Sequence, residues 1–138
     1  MKLNKYVFLT AIALMFCITK LPAQNILTST IEWNSTSTFT ASTGNSTDEI
    51  TKVVSTPSQI TWYDNAGVAR RTLEIVGSEG SWTNVSNNGS ILLKIKEGEF
   101  FGIVQFAQSG NSRTVRIQIV LQEESPIYEL TITDVNAL

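Results

Sequence analysis

From residue 50 onward, apolar and polar side chains alternate in short runs broken by turn residues. A period of two marks half-buried strands, and no window carries a convincing period of 3.6, so no long helix is expected. The runs place strands at 50–55, 58–63, 69–76, 81–87, 90–96, 99–109, 112–122 and 127–134. Their connections are short (DNAG, GSEG, NG, EG, GN and EESP), and consecutive short connections demand antiparallel neighbours, hence a meander. Upstream, residues 28–48 hold twelve Ser or Thr among twenty-one. Such a segment suits a disordered, mucin-like leader. Yet Leu27, Ile31 and Trp33 share one face of an extended chain, as do Ser37, Phe39 and Ala41, and Thr is at home on a solvated strand face. Two polar strands at 26–33 and 36–42 are therefore expected, followed by a loop through Gly44–Glu49.

Three turns fix a register. A type I′ turn at Asn88-Gly89 pairs Ser86 with Ile91, Asn84 with Leu93 and Trp82 with Ile95. A turn at Glu97-Gly98 pairs Lys96 with Glu99, Ile95 with Phe100, Leu93 with Gly102 and Ile91 with Val104. Gly110-Asn111 pairs Phe106 with Val115, Val104 with Ile117 and Gly102 with Ile119. All three turns put Trp82, Ile91, Leu93, Ile95, Phe100, Val104, Phe106, Val115, Ile117, Ile119 and Leu121 on one face. A slip of one residue would invert every one of them, so the agreement is informative. The opposite face is mixed. Its apolar members Val85, Leu92, Phe101, Ile103 and Val120 form a group that either lies under a loop or the chain's N-terminal segment or meets a protein partner. The DNAG loop pairs Trp62 with Ala69 and turns Ile60, Arg71, Leu73 and Ile75 to one side. Arg71 then points inward, either as a strand-end residue whose head reaches water or as a clamp for a ligand carboxylate.

Two architectures accommodate this meander. One is a closed, soluble barrel of eight to ten strands, which buries its edges; the other is a two-sheet sandwich. An outer-membrane barrel needs the opposite distribution, apolar outside and polar inside.

Gly80-Ser81-Trp82, on an expected strand, resembles the Gly-x-Trp signature of lipocalins, and GSWTNVSNNGSI resembles the first-strand segment of avidin-like proteins. The resemblance covers about a tenth of the chain. It implies a calycin-type secreted β-barrel in which Trp82 is the floor aromatic and Asn84 and Ser86 are inward polar contacts to a ligand. With Trp62 and Arg71 these residues make up the candidate ligand site: Trp62, Arg71, Trp82, Asn84 and Ser86.

Composition adds a compartment. The chain opens with Lys2 and Lys5, runs apolar from Tyr6 to Ile18 and reaches the small residue Ala23, the order of a secretory signal peptide. The expected organisation is a signal peptide over 1–23 and one antiparallel β domain over 24–138, secreted or periplasmic. Cys17 is the only cysteine; bulky Phe16 before it argues against a lipid anchor there. The apolar run from Tyr6 to Ile18 is too short to span a bilayer comfortably, and no later segment approaches the necessary length. Residues 24–138 carry seven basic and twelve acidic side chains, a net charge of −5 that disfavours nucleic acid and anionic membranes.

They also lack both His and Cys. Ser-His and Cys-His nucleophiles and the usual zinc sites are thereby excluded, and no phosphate loop or dinucleotide fingerprint is present. The carboxylate pairs Asp48-Glu49 and Glu123-Glu124 fall in expected loops. No catalytic residue, metal or cofactor is expected, and enzyme ranks last among the functions. Ahead of it stand a lipocalin-like binder of a small apolar ligand and, alternatively, a structural or protein-interaction module of the cell envelope.

Overall fold

Residues 24–138 are described by a computed structural model; the expected signal peptide and Cys17 lie outside them. Eight strands follow one another: β1 (Ile31–Thr40), β2 (Asn45–Ser55), β3 (Gln59–Tyr63), β4 (Ala69–Glu79), β5 (Gly89–Glu97), β6 (Phe100–Ser109), β7 (Ser112–Val120) and β8 (Ile127–Ala137). Each pairs antiparallel with the next, and β8 returns to pair with β1, closing an all-β barrel. The barrel, not the sandwich, is the architecture, and its strand number is the lower end of the expected range.

The alternation explains the wall. Inward positions on β5 to β7 are Ile91, Leu93, Ile95, Val104, Phe106, Val115, Ile117 and Ile119, all buried. The rest of the circle supplies Ile31, Trp33, Val53, Ile60, Trp62, Leu73, Leu130 and Ile132. Trp33 sits among these with its ring centroid 4.8 Å from that of Phe106 and 5.9 Å from that of Trp82. Burying each such side chain contributes about 1.5–3 kcal/mol. The indole N–H of Trp33 donates to Ser55 Oγ at 3.0 Å, so this large ring enters the core with its polar group satisfied.

Register agrees with expectation at one hairpin and departs from it elsewhere. β6 and β7 pair as expected, Phe106 with Val115, Val104 with Ile117 and Gly102 with Ile119, around Gly110-Asn111. In β5–β6 the turn is Gly98-Glu99, so Ile95 faces Gly102 and Leu93 faces Val104, two residues from the expected register. Gly98 has φ +61°, as the first central residue of a type II′ turn requires. A shift of two keeps every side chain on its expected face.

The expected strand 81–87 is not a strand. β4 runs on to Glu79 and pairs directly with β5, Ser78 facing Leu93 and Glu79 facing Leu92, so the Asn88-Gly89 hairpin does not form. Gly89 begins β5 instead, and a Cβ there would stand 2.6 Å from Trp82 Nε1; its lack of a side chain seats the indole. The early strands also differ. One bulged strand, β1, replaces the expected pair, and Asn45–Glu49, read as loop, is strand, with Asn45 to Asp48 exposed and laddered onto β1. Backbone pairing with a neighbour holds these polar residues extended without an apolar face.

Candidate functional site

The two ends of the barrel differ. At one, here the floor, residues 24–30 and 80–88 fold across the opening and insert Ile26, Trp82 and Val85 into the core. Val85 N donates to Gln24 O at 3.1 Å and Trp82 Nε1 donates to Asn87 O at 3.0 Å, fastening the segments together. Trp82 is thus a floor aromatic, 4% exposed, although it stands on a loop rather than a strand. Asn84 and Ser86 do not point inward as ligand contacts. Asn84 Oδ1 accepts from Ser86 N at 3.0 Å in a local turn, and Ser86 is exposed. Val85 is buried in the floor and so does not belong to the outer apolar group.

At the other end, the rim, a bulge in β3–β4 changes the expected pairing. Trp62 faces Arg71 rather than Ala69, Tyr63 faces Ala69, and Arg70 is left without a partner opposite. Bulges at barrel rims re-aim side chains. Arg71 follows its inward register and donates to Glu97 Oε2 at 2.6 Å, which gives it a carboxylate partner inside the protein. Arg70 pairs with Glu49 of β2, and its guanidinium carbon lies 5.5 Å from the centroid of the Trp62 ring. Trp62 also meets Tyr128 edge-on, with centroids 5.2 Å apart. The five candidate ligand residues are therefore split: Trp62 and Arg71 at the rim, Trp82, Asn84 and Ser86 at the floor. Arg70 and Glu49 had no signal in the alternation, because a bulge is invisible to it.

Three buried polar atoms have no hydrogen-bond partner among the described residues: Trp62 Nε1, Thr38 Oγ1 and Thr51 Oγ1. Beside Thr51 the wall is notched. β3 pairs with β2 only from Lys52 to Ser55, so β2 continues from Thr51 back to Asn45 laddered to β1 alone. The resulting recess holds about 200 Å³ and is lined by residues including Asn34, Thr51, Lys52, Asp64 and Asn65. On its outer lip Glu32 accepts from Asn34 Nδ2 at 3.0 Å and pairs with Lys52 at 3.3 Å. These contacts, the Asn34 bond foremost, hold the Glu32 carboxyl below the usual carboxylate range against a smaller opposing effect of burial.

On the outer wall of β4 to β7, Val76, Phe101 and Val120 are 50%, 59% and 53% exposed, and with half-buried Ile103 they line a groove of about 520 Å³. Leu92 lies half-buried on the same face, between Glu79 and Gln105. Lys94 at the border of the groove is paired with Glu79 at 2.7 Å, which lowers the Glu79 pKa. Among the described residues no group of three or more acidic, His or Cys side chains is placed to hold a metal ion, and no helix is long and apolar enough to cross a membrane. No family model, curated protein or solved structure matches the chain.

Proposed function

We propose that the protein is an exported, non-enzymatic interaction module of the cell envelope that engages another protein through the outer wall of its barrel. The observation that supports this reading most is the contrast between inside and outside. Core side chains such as Ile31, Leu73, Phe106 and Leu130 are fully buried, while Val76, Phe101 and Val120 remain half exposed or more around one groove. Contiguous exposed apolar surface on a small protein marks interaction sites more often than chance. The lack of His and of Cys across 24–138 supports a role without nucleophilic chemistry. A photo-crosslinking amino acid at Phe101, introduced in the producing cell, should give one discrete protein adduct that disappears with Val120→Asp. Absence of an adduct, or one indifferent to Val120→Asp, would overturn the proposal.

A second reading, a lipocalin-like carrier of a small apolar ligand, is favoured by Trp82 at the floor, where that resemblance puts its aromatic. It requires room for a ligand among the buried inward side chains. Saturable binding of an environment-sensitive apolar dye, abolished by a bulky substitution at Val104 but not at Phe101, supports the carrier; binding lost only with Phe101 supports the outer wall.

A further inference from the structure

We infer that the open edge of β2, from Asn45 to Ile50, is a second docking surface, separate from the outer apolar wall, and that it takes up an extended, basic segment of another protein as an added strand. A strand inside a sheet is laddered on both sides, but this stretch is laddered on one. Asn45, Ser46, Thr47 and Asp48 pair with Thr40, Phe39, Thr38 and Ser37 of β1, whereas β3 reaches β2 only at Lys52. The neighbouring turn does not fill the gap, because its backbone groups are engaged with one another. Asp64 N donates to Val68 O at 2.9 Å and Gly67 N to Asp64 O at 3.0 Å, and Asp64 Oδ1 accepts from Ala66 N and Val68 N at 2.9 Å each. The second side of β2 over this stretch thus has no backbone ladder among the described residues. Asn45 to Asp48 and Ile50 are exposed, Ile50 at 64%, so another chain can reach them. A row of this kind is a template for strand addition.

Charge selects the occupant. Proteins commonly guard a sheet edge with Lys or Pro, and Asn45 to Ile50 contains neither. It carries acid instead. The nearby cations are engaged elsewhere, Arg70 with Glu49 and Lys52 with Glu32, and Asp48 forms no ion pair among the described residues. Thr51 is buried and Thr47 pairs with buried Thr38, so Asp48 and Ile50 both lie on the outer face of the strand. A second copy fits poorly. Two antiparallel edges whose outer faces continue one another must pair residues of the same face, and full overlap then sets Asp48 against Asp48; like charges directly opposed destabilise a pair. A cationic segment meets the opposite balance, and the net charge of −5 over residues 24–138 attracts it from a distance.

Two side chains set the pattern the partner must carry. Residues two apart share one face of a strand, so a cation opposite Asp48 places the next residue of that face opposite Ile50. An apolar, preferably β-branched, residue there covers the exposed Ile50 side chain. The partner is therefore an extended segment in which a cation and an apolar residue alternate at every second position. Main-chain hydrogen bonds hold it, and the two side-chain contacts choose it. Because the ion pair is exposed, added salt weakens the contact.

The test follows the backbone amides of the protein by nitrogen-15 NMR while three synthetic peptides of roughly eight residues, the length of a short strand, are titrated separately. One repeats Thr-Lys-Thr-Val, the second has Glu in place of Lys, and the third is the Lys peptide N-methylated along its backbone, which keeps its charge and removes its main-chain donors. The expected result is a saturable shift of the amides from Asn45 to Ile50, with slowed hydrogen exchange there, for the first peptide alone. Asp48→Lys, at an exposed position, should leave the denaturation midpoint near its original value, weaken the Lys peptide about tenfold and move the preference to the Glu peptide. Val120→Asp, on the outer apolar wall, should change none of this. No shift along this edge, equal binding by the Glu or N-methylated peptide, indifference to Asp48→Lys, or loss of binding with Val120→Asp would each overturn the assignment. Shifts at the same amides that grow with protein concentration in the absence of peptide would overturn it too, and assign the edge to a second copy.

Discussion

Replacing Gly102 by alanine adds one methyl group where the barrel wall has no room for it. Gly102 lies on β6 between Ile95 of β5 and Ile119 of β7. A Cβ built there overlaps the backbone carbonyl oxygen of Gln118, and it comes within 3.0 Å of both Ile119 Cα and Ile95 Cδ1. The first two are main-chain atoms of the paired strand, so no rotamer change can relieve them; β6 must move away from β7, or the pleat must distort. Overpacking of this kind costs about 1–3 kcal/mol. Against it stands a gain of about 0.4–1 kcal/mol from the reduced freedom of the unfolded chain. The contact is with backbone, so a net loss of about 2 kcal/mol is expected. With a urea slope of about 1–3 kcal/mol per molar, the midpoint should fall by roughly 1 M. Gly110→Ala supplies the contrast: no atom lies within 4 Å of its Cβ, and its cost comes only from φ +59°, about 1 kcal/mol. If Gly102→Ala unfolds at the wild-type urea concentration, or later than Gly110→Ala, the register of β5 to β7 is wrong.

Gly89→Ala should displace the Trp82 ring and open the floor, giving a red shift and added quenching of tryptophan fluorescence; an unaltered spectrum would refute the seat described for that ring. Ser55→Ala leaves the buried Trp33 indole N–H without its acceptor and should cost about 1–3 kcal/mol in chemical denaturation, well above an ordinary Ser→Ala change. Glu32 has its folded pKa lowered by Asn34 and Lys52, so its stabilising contribution is complete above the unfolded carboxylate value and is lost as pH falls from there through the lowered folded value. Glu32→Gln should therefore flatten part of the acid side of the stability–pH curve while leaving the alkaline side unchanged in shape.

Legibility from sequence followed how local the cause was. The β6–β7 hairpin was legible residue by residue, because its two-residue turn and the alternation on either side agree. The β5–β6 hairpin was legible in facing but not in register, since KEGE offers two placements of one glycine that both accept its positive φ, and the pairing of Glu97 with Phe100 decides between them. The segment 81–87 misled because Trp82 and Asn88-Gly89 imitate a strand and its turn. In the folded chain Gly89 serves a steric purpose and β4 reaches past the segment to β5. Asn45–Glu49 misled in the other direction, since its strand exists by backbone pairing with β1 alone. Arg71 was legible as an inward residue near a strand end, but Trp62 was matched to Ala69 and both were grouped with residues of the opposite end. Their surroundings were not legible, because Arg70, Glu49 and Thr51 are gathered by a bulge and by the early end of β3.

The seam between β1 and β8 joins Ile31 to Ala137 and Thr40 to Tyr128, and it sets the order in which the barrel can assemble. That closure spans almost the whole described chain, so it is the most nonlocal pairing of the barrel and carries the largest loop entropy. Until β8 arrives, one side of β1 is an unpaired edge, open to pairing with another chain. β1 is the first strand to emerge in synthesis and its edge waits longest. It is also half Ser and Thr, five of the ten residues from Ile31 to Thr40, followed by an equally polar start to β2. An edge of that composition offers a passing strand backbone hydrogen bonds but little apolar surface to hold it, and the hairpin that must wait is thereby the one least able to aggregate.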